Sequence, residues 1–441
     1  RNHAEPLLRG VAAGKLTGPE KIAGRQVLAV DSKLFLCLES TELIVANDKK
    51  LLEKMAPLAA GKGGPSMSDD KSLKAVRDAD PGAFITGCLS HERLLSSSGR
   101  KRLLPEKSDN LINTLFFQDL AELAATGEAV GLSFSASAEK FTAALRIPGP
   151  PDRLPAAFRG FFLDPARAAL PVSVKPKGHL GSISLHRDFV DLYRQRENLM
   201  VDRVLPEFDK FETGIGNLMP GKSFSMDVLP LLGDHLWITF ARQDYAGLDG
   251  KPTLRLPAFA FVIELAKPQE ASDLLSLFVQ TLVPIMNFSA KESGNRPQVL
   301  VAEVHDGVSM WSSRYLERPK GNDLPPIFNL RFASATVGKH FIFASAPGLC
   351  KDLITGLKTP PTEAQRGRNA ALEFSPAEIA AALDDNREPL MAAQLRSGKA
   401  APQSKGELDL LGAALRATKK VELFNHVDKN GAEMRLEVRW K

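Results

Sequence analysis

Alternating apolar and polar positions in two distant parts of the chain predict the same strand-to-helix unit. An apolar strand pattern at 43–46 runs into a helical pattern at 48–55, and 341–344 runs in the same way into 346–353. The two copies align without a gap at a spacing of 298 residues (341 − 43). Their shared positions are apolar while their polar positions differ, which indicates a repeated core. The shared positions are Leu43/Phe341, Ile44/Ile342, Val45/Phe343, Ala46/Ala344, Leu51/Leu349 and Met55/Leu353.

A second set of elements recurs in the same order further along each copy. Residues 140–147 align with 433–440 at a spacing of 293 (433 − 140), close to the first value. A period this long predicts duplicated domains rather than a solenoid. In the first copy the predicted elements are strand 82–86, helix 111–123 and strands 129–134 and 141–147. In the second copy they are strand 371–374, a capped helix from Ser375, a loop at 397–406, a helix over 408–415 and strands 421–424 and 433–440.

The repeat predicts the domain organisation. Residues 1–147 form the C-terminal half of a first unit, 148–171 a Pro-rich connector, and 172–441 a complete second unit. By this count roughly 140 residues of a truncated first unit are expected before Arg1, which makes the chain a fragment. Hairpins outnumber crossovers, so the expected fold class is α+β, with antiparallel sheets and helices on one face.

The front half of the second unit has no counterpart within the chain. Its apolar patterns predict a strand at 182–185, a helix over 188–207 that ends at Pro206, strands at 236–241 and 254–265, a helix opened by Pro268, and a hairpin of 299–304 with 308–312.

Composition narrows the function classes. The 441 residues are 44% hydrophobic and 25% charged, with 57 Lys+Arg against 52 Asp+Glu, and the basic residues do not cluster. Nucleic-acid binders usually show a clustered basic face, so no nucleic-acid partner is expected. No apolar run reaches the roughly 18 residues of a membrane helix, so no transmembrane segment is predicted. Cys37, Cys88 and Cys350 follow no disulfide or metal spacing.

One motif has the spacing of a nucleotide-binding loop. Gly216, Gly221, Lys222 and Ser223 satisfy the Walker A pattern, in which backbone N–H groups surround a phosphate, the lysine reaches the outer phosphates and the serine binds Mg²⁺. The segment before it is charged rather than a buried strand, and Pro220 lies inside the loop. A glycine-rich turn is the simpler interpretation, and nucleotide binding is the alternative.

Other chemical motifs are incomplete. His186-Arg187-Asp188 resembles a kinase catalytic loop, but the asparagine expected five residues after Asp188 is Tyr193. The histidines never fall at metal-ligand spacing. The sequence therefore predicts no catalytic residue, no metal ligand and no cofactor.

Three segments carry a resemblance to a known family. They are 224–233, with its Asp-Val-Leu-Pro-Leu-Leu-Gly run, 257–265 with the following Pro268 helix, and 326–357. Together they are similar to a family of uncharacterised bacterial proteins built on a domain of unknown function. Its members are often exported or membrane-anchored, so the resemblance implies an extracytoplasmic location, in the periplasm or cell envelope, and gives no catalytic residues to carry over.

Three hypotheses follow. The leading one is a non-enzymatic binding or structural module of the bacterial cell envelope, because the copies share apolar frameworks but not polar sites. The alternative is a nucleotide-dependent enzyme that uses the loop at 216–223. The third is an interaction subunit whose protein partner contacts an exposed Phe161-Phe162 surface and the Pro-rich connector.

Overall fold

In the computed structural model, the chain divides into two compact units, Arg1–Asp78 and Ala79–Lys441. Each unit is described by itself. The structure describes residues 16–22, 25–30, 34–38, 43–46, 48–50, 53, 71–90, 107–126, 129–148, 155–161, 169–170, 173–245, 247–292, 296–317, 320–358, 365–366, 368–428 and 431–440.

The strands are named in chain order. They are β1 (Leu16–Ile22), β2 (Arg25–Val30), β3 (Leu34–Leu38), β4 (Leu43–Ala46), β5 (Ile85–Ser90), β6 (Ala129–Ala136), β7 (Lys140–Pro148), β8 (Ala169–Leu170), β9 (His179–His186), β10 (Leu232–Ala241), β11 (Asp249–Pro252), β12 (Ala258–Leu265), β13 (Gln298–His305), β14 (Val308–Tyr315), β15 (Lys320–Leu324), β16 (Ala333–Val337), β17 (His340–Ala344), β18 (Gln365–Arg366), β19 (Arg368–Phe374), β20 (Thr418–Asp428) and β21 (Gly431–Trp440).

The helices are named in the same way, and α2 contains a π-helical turn, Thr114–Gln118. They are α1 (Lys71–Ala79), α2 (111–126), α3 (Phe189–Arg194), α4 (Arg196–Leu199), α5 (Leu205–Leu218), α6 (Pro268–Glu292), α7 (Pro347–Lys358), α8 (Pro376–Asp385), α9 (Arg387–Arg396) and α10 (Ala401–Ala417).

The first unit contains an antiparallel meander in the order β1-β2-β3-β4. Its buried cluster is Val27, Phe35, Cys37 and Ala46. The strand predicted at 43–46 is confirmed, and of the helix predicted at 48–55 only residues 48–50 and 53 lie within the described part of the chain.

The second unit is built on one antiparallel sheet of thirteen strands. Their order is β13-β14-β16-β17-β12-β10-β9-β19-β20-β21-β7-β6-β5. The α+β class is therefore confirmed. Since β6 and β7 pair into the same sheet as β21, the residues on both sides of Pro148 belong to one compact unit. The division into repeats at 1–147, 148–171 and 172–441 stays a prediction.

Helices cover both faces of this sheet, not the one face expected. Phe341 of β17 packs in a cluster with Ala271 and Val279 of α6. Ile342, the next residue, packs in another cluster with Leu353 of α7. Because successive side chains of a strand point to opposite faces, α6 and α7 lie on opposite sides of the sheet.

Several predicted boundaries are wrong. The helix over 188–207 is broken into α3, α4 and a 3₁₀ turn, and Pro206 stands in the first turn of α5 instead of ending a helix. Helix α10 begins at Ala401, inside the predicted loop 397–406. Strand β5 lies at 85–90, three residues beyond the predicted start.

The predicted Phe161-Phe162 contact surface is also corrected. The Phe161 side chain is fully buried in a 3₁₀ helix, Ala156–Phe161, where it packs with Phe158 and Leu192. Phe162 and most of the Pro-rich connector lie outside the described residues. Burial removes Phe161 from any exposed partner surface.

Helix α6 is the one described segment that is long and apolar enough, over Pro268–Phe288, to cross a membrane. Ala271 and Val279 on one of its sides are buried in a cluster with Leu265 and Phe341 of the sheet. Only 22% of the apolar window is buried, but a single helix of this length and composition is weak evidence for a membrane span. The described residues therefore contain no clear transmembrane segment.

Candidate functional site

A pocket of about 550 Å³ lies between the helices and one face of the second unit's sheet. Of the nineteen described residues that line it, only Arg196 and Glu207 are charged. The sheet contributes Leu232, Leu236, Phe261 and Ile263; the remaining walls are Leu111, Thr114, Leu115, Phe189, Leu192, Tyr193, Leu199, Met200, Val204, Phe208, Phe211, Phe224 and Leu229.

Capping side chains determine where the short helices that line the pocket begin. The Asp188 side chain caps α3 by accepting from the Asp191 N–H at 2.8 Å, which orients Phe189 and Tyr193 toward the pocket. The Ser223 hydroxyl accepts from the Met226 N–H at 3.3 Å and begins the π-helical turn Phe224–Val228. Capping fixes where each short helix starts and therefore which side chains face the pocket.

One carboxylate ties three of these segments together. Glu212 Oε1 accepts from the Ser223 hydroxyl at 2.7 Å and from the Ser225 hydroxyl at 2.6 Å. The Tyr193 hydroxyl donates to Glu212 Oε2 at 2.9 Å. These bonds fix the edge-on ring contacts of Phe224 with Tyr193 at 5.6 Å and with Phe211 at 4.9 Å.

Glu212 and the Tyr193 hydroxyl that donates to it, together called the Glu212 hub, keep the same protonation states near neutral pH. Burial alone would raise the pKa of Glu212, but hydrogen bonds from Ser225, Ser223 and Tyr193 outweigh it and hold that pKa at about 2. Burial, and then the hydrogen bond to Glu212, raise the pKa of Tyr193 to about 12. Both groups keep their charge state at physiological pH, so the hub acts as a structural joint.

Arg196 supplies the positive charge of the pocket lining. Its guanidinium lies 4.7 Å from the Tyr193 ring centroid, and Nη1 donates to the Tyr193 carbonyl at 3.0 Å. The carboxylate of Glu207 pairs with Lys210 at 2.6 Å instead. Among the described residues, Arg196 is paired with no carboxylate, so its charge is available to a ligand.

The Walker-like residues lie behind the pocket wall. Gly216 belongs to the last turn of α5, and Gly221 has a φ of 76° in the turn that follows. Lys222 pairs with Asp227 at 3.0 Å, and the Ser223 N–H donates to the same carboxylate at 2.9 Å. A P-loop instead joins a strand to a helix N-terminus and directs these donors at a phosphate. The loop here follows a helix, and its donors bind carboxylates.

A cluster of titratable groups lies on the opposite face of the sheet. The rings of His186 and His235 stack at 4.2 Å, and His235 Nδ1 lies 2.5 Å from Glu264 Oε2. Burial, aided by the neighbouring His235, lowers the pKa of His186 to about 4. The described residues include no group of three or more His, Cys, Asp or Glu able to hold a metal ion.

The kinase-like motif is structural. Arg187 is fully buried and donates to the carbonyls of Leu115, His186 and Asn369, at 2.9, 2.9 and 2.7 Å. Asp188 serves as the cap of α3.

Sequence analysis missed the pocket. Its lining comes from stretches around 111–115, 189–211, 224–236 and 261–263, which only the sheet brings together. One signal in the sequence could have indicated it, namely the surplus of aromatic residues in 189–224. Gln195 and Pro206 interrupt the helical patterns there, so the sequence shows no continuous apolar face against which Phe208, Phe211 and Phe224 would pack.

Comparisons of this chain with protein-family models, with curated proteins and with solved structures find no match. The site is therefore interpreted from its own geometry.

Proposed function

We propose that this chain is a non-enzymatic binding module whose pocket holds a small amphiphile, an apolar chain that ends in an anionic head. The observation that carries the proposal is a pocket of about 550 Å³ lined almost entirely by apolar side chains. Its volume lies within the roughly 300–1,000 Å³ of small-molecule sites, which are mostly apolar with a few polar groups that orient the ligand.

The lining favours binding over chemistry. Among the described residues that line the pocket there is no Ser, Cys, His, Lys or Asp. The lining residues Thr114, Tyr193 and Glu207, which belong to residue types that serve as nucleophiles or bases, each contact another protein group. The two hydroxyl groups of this lining are already engaged: Tyr193 donates to Glu212, and the Thr114 hydroxyl donates to the Asn110 carbonyl at 3.0 Å. An apolar ligand gains from burial here without leaving these groups unpaired.

Charge complementarity supports an anionic head. Arg196 lines the pocket and pairs with no carboxylate of the described residues. A guanidinium binds carboxylate or phosphate oxygens through two parallel hydrogen bonds. Leu111 and Phe211, at the pocket, are 51% and 47% exposed. An apolar entrance of this kind lowers the cost of passing an acyl chain from water into the pocket.

The location proposed for this activity is the bacterial cell envelope. Phe224, Leu229 and Leu232 of the pocket lie in the segment 224–233, which carries the resemblance to exported bacterial proteins. A binder of amphiphiles suits a compartment bounded by lipid, whereas a nucleotide-dependent enzyme would need a phosphate site in the loop at 216–223.

The test uses the full chain and cis-parinaric acid, a fluorescent 18-carbon fatty acid. We expect saturable binding by the wild type and at least a tenfold weaker affinity for Leu236→Trp, because the indole fills the pocket from the sheet side. Leu410→Trp, at a 73% exposed helix position, is the control and keeps the wild-type affinity.

The head group is tested separately with oleic acid and oleyl alcohol as competitors. Arg196→Gln should weaken oleic acid about tenfold, a loss of one ion-pairing interaction of about 1.4 kcal/mol, and leave oleyl alcohol unchanged. Equal binding of the probe by the wild type and Leu236→Trp, or no saturable binding at all, would rule out the pocket as the site.

A further inference from the structure

Four titratable side chains form one row across four neighbouring strands of the second unit's sheet. His186 of β9 lies opposite His235 of β10. Glu264 of β12 lies opposite His340 of β17. His235 joins the two pairs, since its Nδ1 lies 2.5 Å from Glu264 Oε2. Successive side chains of a strand point to opposite faces, and Leu236 lines the pocket, so the row lies on the other face of the same strands.

The pairing of β10 with β12 is irregular where the row crosses it. The regular register begins with Leu236 opposite Ile263, and the shift in register lies between Leu232 and Leu236. The Glu264 side chain packs against this stretch, because a Cβ on Gly233 would lie 2.8 Å from its Cγ. An irregular register interrupts the ladder of hydrogen bonds, so we expect the stretch to open more readily than a regular strand. Leu232 and Leu236, at its two ends, both line the pocket.

The surroundings of His186 oppose a positive charge on its ring. The rings of His186 and His235 stack at 4.2 Å, so a proton on each would place two cations in contact. The next residue, Arg187, is a fully buried cation, and Glu264 is engaged by His235 and by Lys339. The other ionisable groups around the pair, among the described residues, are Asp188, Asp234 and His340. The packed arrangement therefore favours a neutral His186.

The pKa of His186 gives this preference a sign and a pH range. Burial, and then His235 and Arg187, lower that pKa from 6.5 to about 4. The packed pair thus holds a proton less tightly than an opened pair does. Its stability is fully present above pH 6.5 and is lost as the pH falls toward about 4. With the ordinary pKa in the opened state, the ratio of opened to packed molecules increases about twentyfold between pH 7 and pH 5.

We propose that the stacked pair of His186 and His235 is an acid-sensitive switch that controls the pocket on the other face of the sheet. A proton taken up by the pair separates β9 from β10 at the irregular stretch and displaces Leu232 and Leu236, so that the bound amphiphile leaves. The chain then holds its ligand at neutral pH and releases it in a mildly acidic environment. The inference rests on the proposed function of the pocket, but the opening of the strands is measured without any ligand.

The first experiment measures this opening in the full chain. Amide hydrogen exchange of residues 232–236 is followed at pH 7 and at pH 5, and each rate is divided into that of an unstructured chain at the same pH to give a protection factor. We expect the protection factor of the wild type to be about twentyfold lower at pH 5. In His186→Phe, which keeps a ring but cannot take up a proton, it should fall at most threefold.

The comparison with His186→Phe also removes the contribution of Asp119. This buried carboxylate of α2 has a pKa raised by burial to about 6, so it titrates in the same range with the opposite sign. It is present in both proteins, and the difference between them reports the histidine pair alone.

The second experiment measures ligand release with N-phenyl-1-naphthylamine, a fluorescent apolar probe that is uncharged at both pH values. A fatty acid is unsuitable here because its own carboxylate takes up protons toward pH 5. We expect the wild type to bind the probe at least fivefold more weakly at pH 5 than at pH 7, and His186→Phe to bind it equally at both. His305→Phe, at the half-buried turn between β13 and β14, is the matched control and should keep the wild-type pH dependence.

Two results would overturn the switch. One is a wild-type protection factor that is the same at pH 5 and pH 7, a result that needs neither a variant nor a ligand. The other is probe binding at pH 7 that persists unchanged at pH 5. Failure of the probe to bind at pH 7 would instead contradict the proposed function and with it the release of a ligand, and the exchange result would still decide whether the pair opens in acid.

Discussion

At the scale of single residues, Arg187 shows how a buried charge is accommodated. The π-helical turn of α2 leaves the carbonyls of Leu115 and Phe116 accessible, and Arg187 and Asn425 each donate to one of them at 2.9 Å. Arg187 Nη2 lies 4.0 Å from Asp119, whose side chain is also fully buried. The pair holds α2, and with it Leu115 of the pocket, against the sheet.

Replacing Arg187 with methionine is expected to destabilise the chain by about 3–5 kcal/mol, because it leaves the Asp119 charge buried without its partner. Urea unfolding followed by circular dichroism measures this change. Arg194→Met, at an exposed position of α3, is the control and should alter the free energy of unfolding by less than about 0.5 kcal/mol. A cost below about 1 kcal/mol for Arg187→Met would show that the ion pair and carbonyl contacts do not hold α2.

Asp119 gives a prediction with a definite sign in pH. Burial outweighs the attraction of Arg187 and raises the pKa of Asp119 from 3.8 to about 6. The folded state therefore holds this proton more tightly than the unfolded state does. The resulting stability is fully present below pH 3.8 and is lost as the pH rises to about 6.

Asp119→Asn removes this titration. The wild type should therefore lose stability relative to Asp119→Asn as the pH rises. Between pH 4 and pH 7 the difference in the free energy of unfolding, variant minus wild type, should increase by roughly 2–3 kcal/mol. Urea unfolding at several pH values provides the measurement, with Asp202→Asn at an exposed position as the control. A pH-independent difference would contradict the raised pKa.

At the scale of elements, proline and serine predict some helix boundaries correctly and others wrongly. The sequence predicts that Pro268 opens a helix, and it does. It also predicts that Pro206 ends a helix, but Pro206 stands in the first turn of α5. Proline lacks an N–H and is accepted in a first turn, but its position alone does not tell whether the preceding charged run is helical. Ser375 does begin α8, yet its hydroxyl contacts His179 Nδ1 at 3.3 Å rather than completing the predicted capping box.

The loop at 216–223 is expected to act as a joint between α5 and the π-helical turn. Ser223→Ala should cost about 1 kcal/mol, the usual loss of a helix cap. Lys222→Ala should change the melting temperature little, because its ion pair with Asp227 is exposed. Millimolar MgATP should not raise the melting temperature of the wild type in scanning fluorimetry. A rise that Lys222→Ala abolishes would restore the nucleotide hypothesis.

At the scale of the whole molecule, period-2 patterns and hairpin turns were enough to predict the α+β class and the strands 129–134 and 141–147. The thirteen-stranded sheet could not be predicted, because its order joins β9 to both β10 and β19, which are distant in sequence. The pocket was missed for the same reason. A single sequence displays local periodicity, whereas strand neighbours far apart in the chain depend on packing that only the folded sheet shows.

Continuity of the sheet across β7 and β21 leads to a test of the domain organisation. Ile147 of β7 is 1% exposed and packs with Leu120, Val427 and Ala432, so it joins residues from both sides of the predicted boundary at 148. Ile147→Ala leaves a cavity at this junction. The expected cost is about 2–4 kcal/mol.

Because β7 and β10 belong to one sheet, hydrogen exchange of the slowest amides in both strands should speed up by the same factor in Ile147→Ala. Leu132→Ala, at an exposed position of the adjacent β6, is the matched control and should leave both strands nearly unchanged. Faster exchange in β7 with unchanged exchange in β10 would mean that the halves on either side of 148 unfold separately. The repeat boundary would then also be a folding boundary, and the continuous sheet would be an association of two independently stable parts.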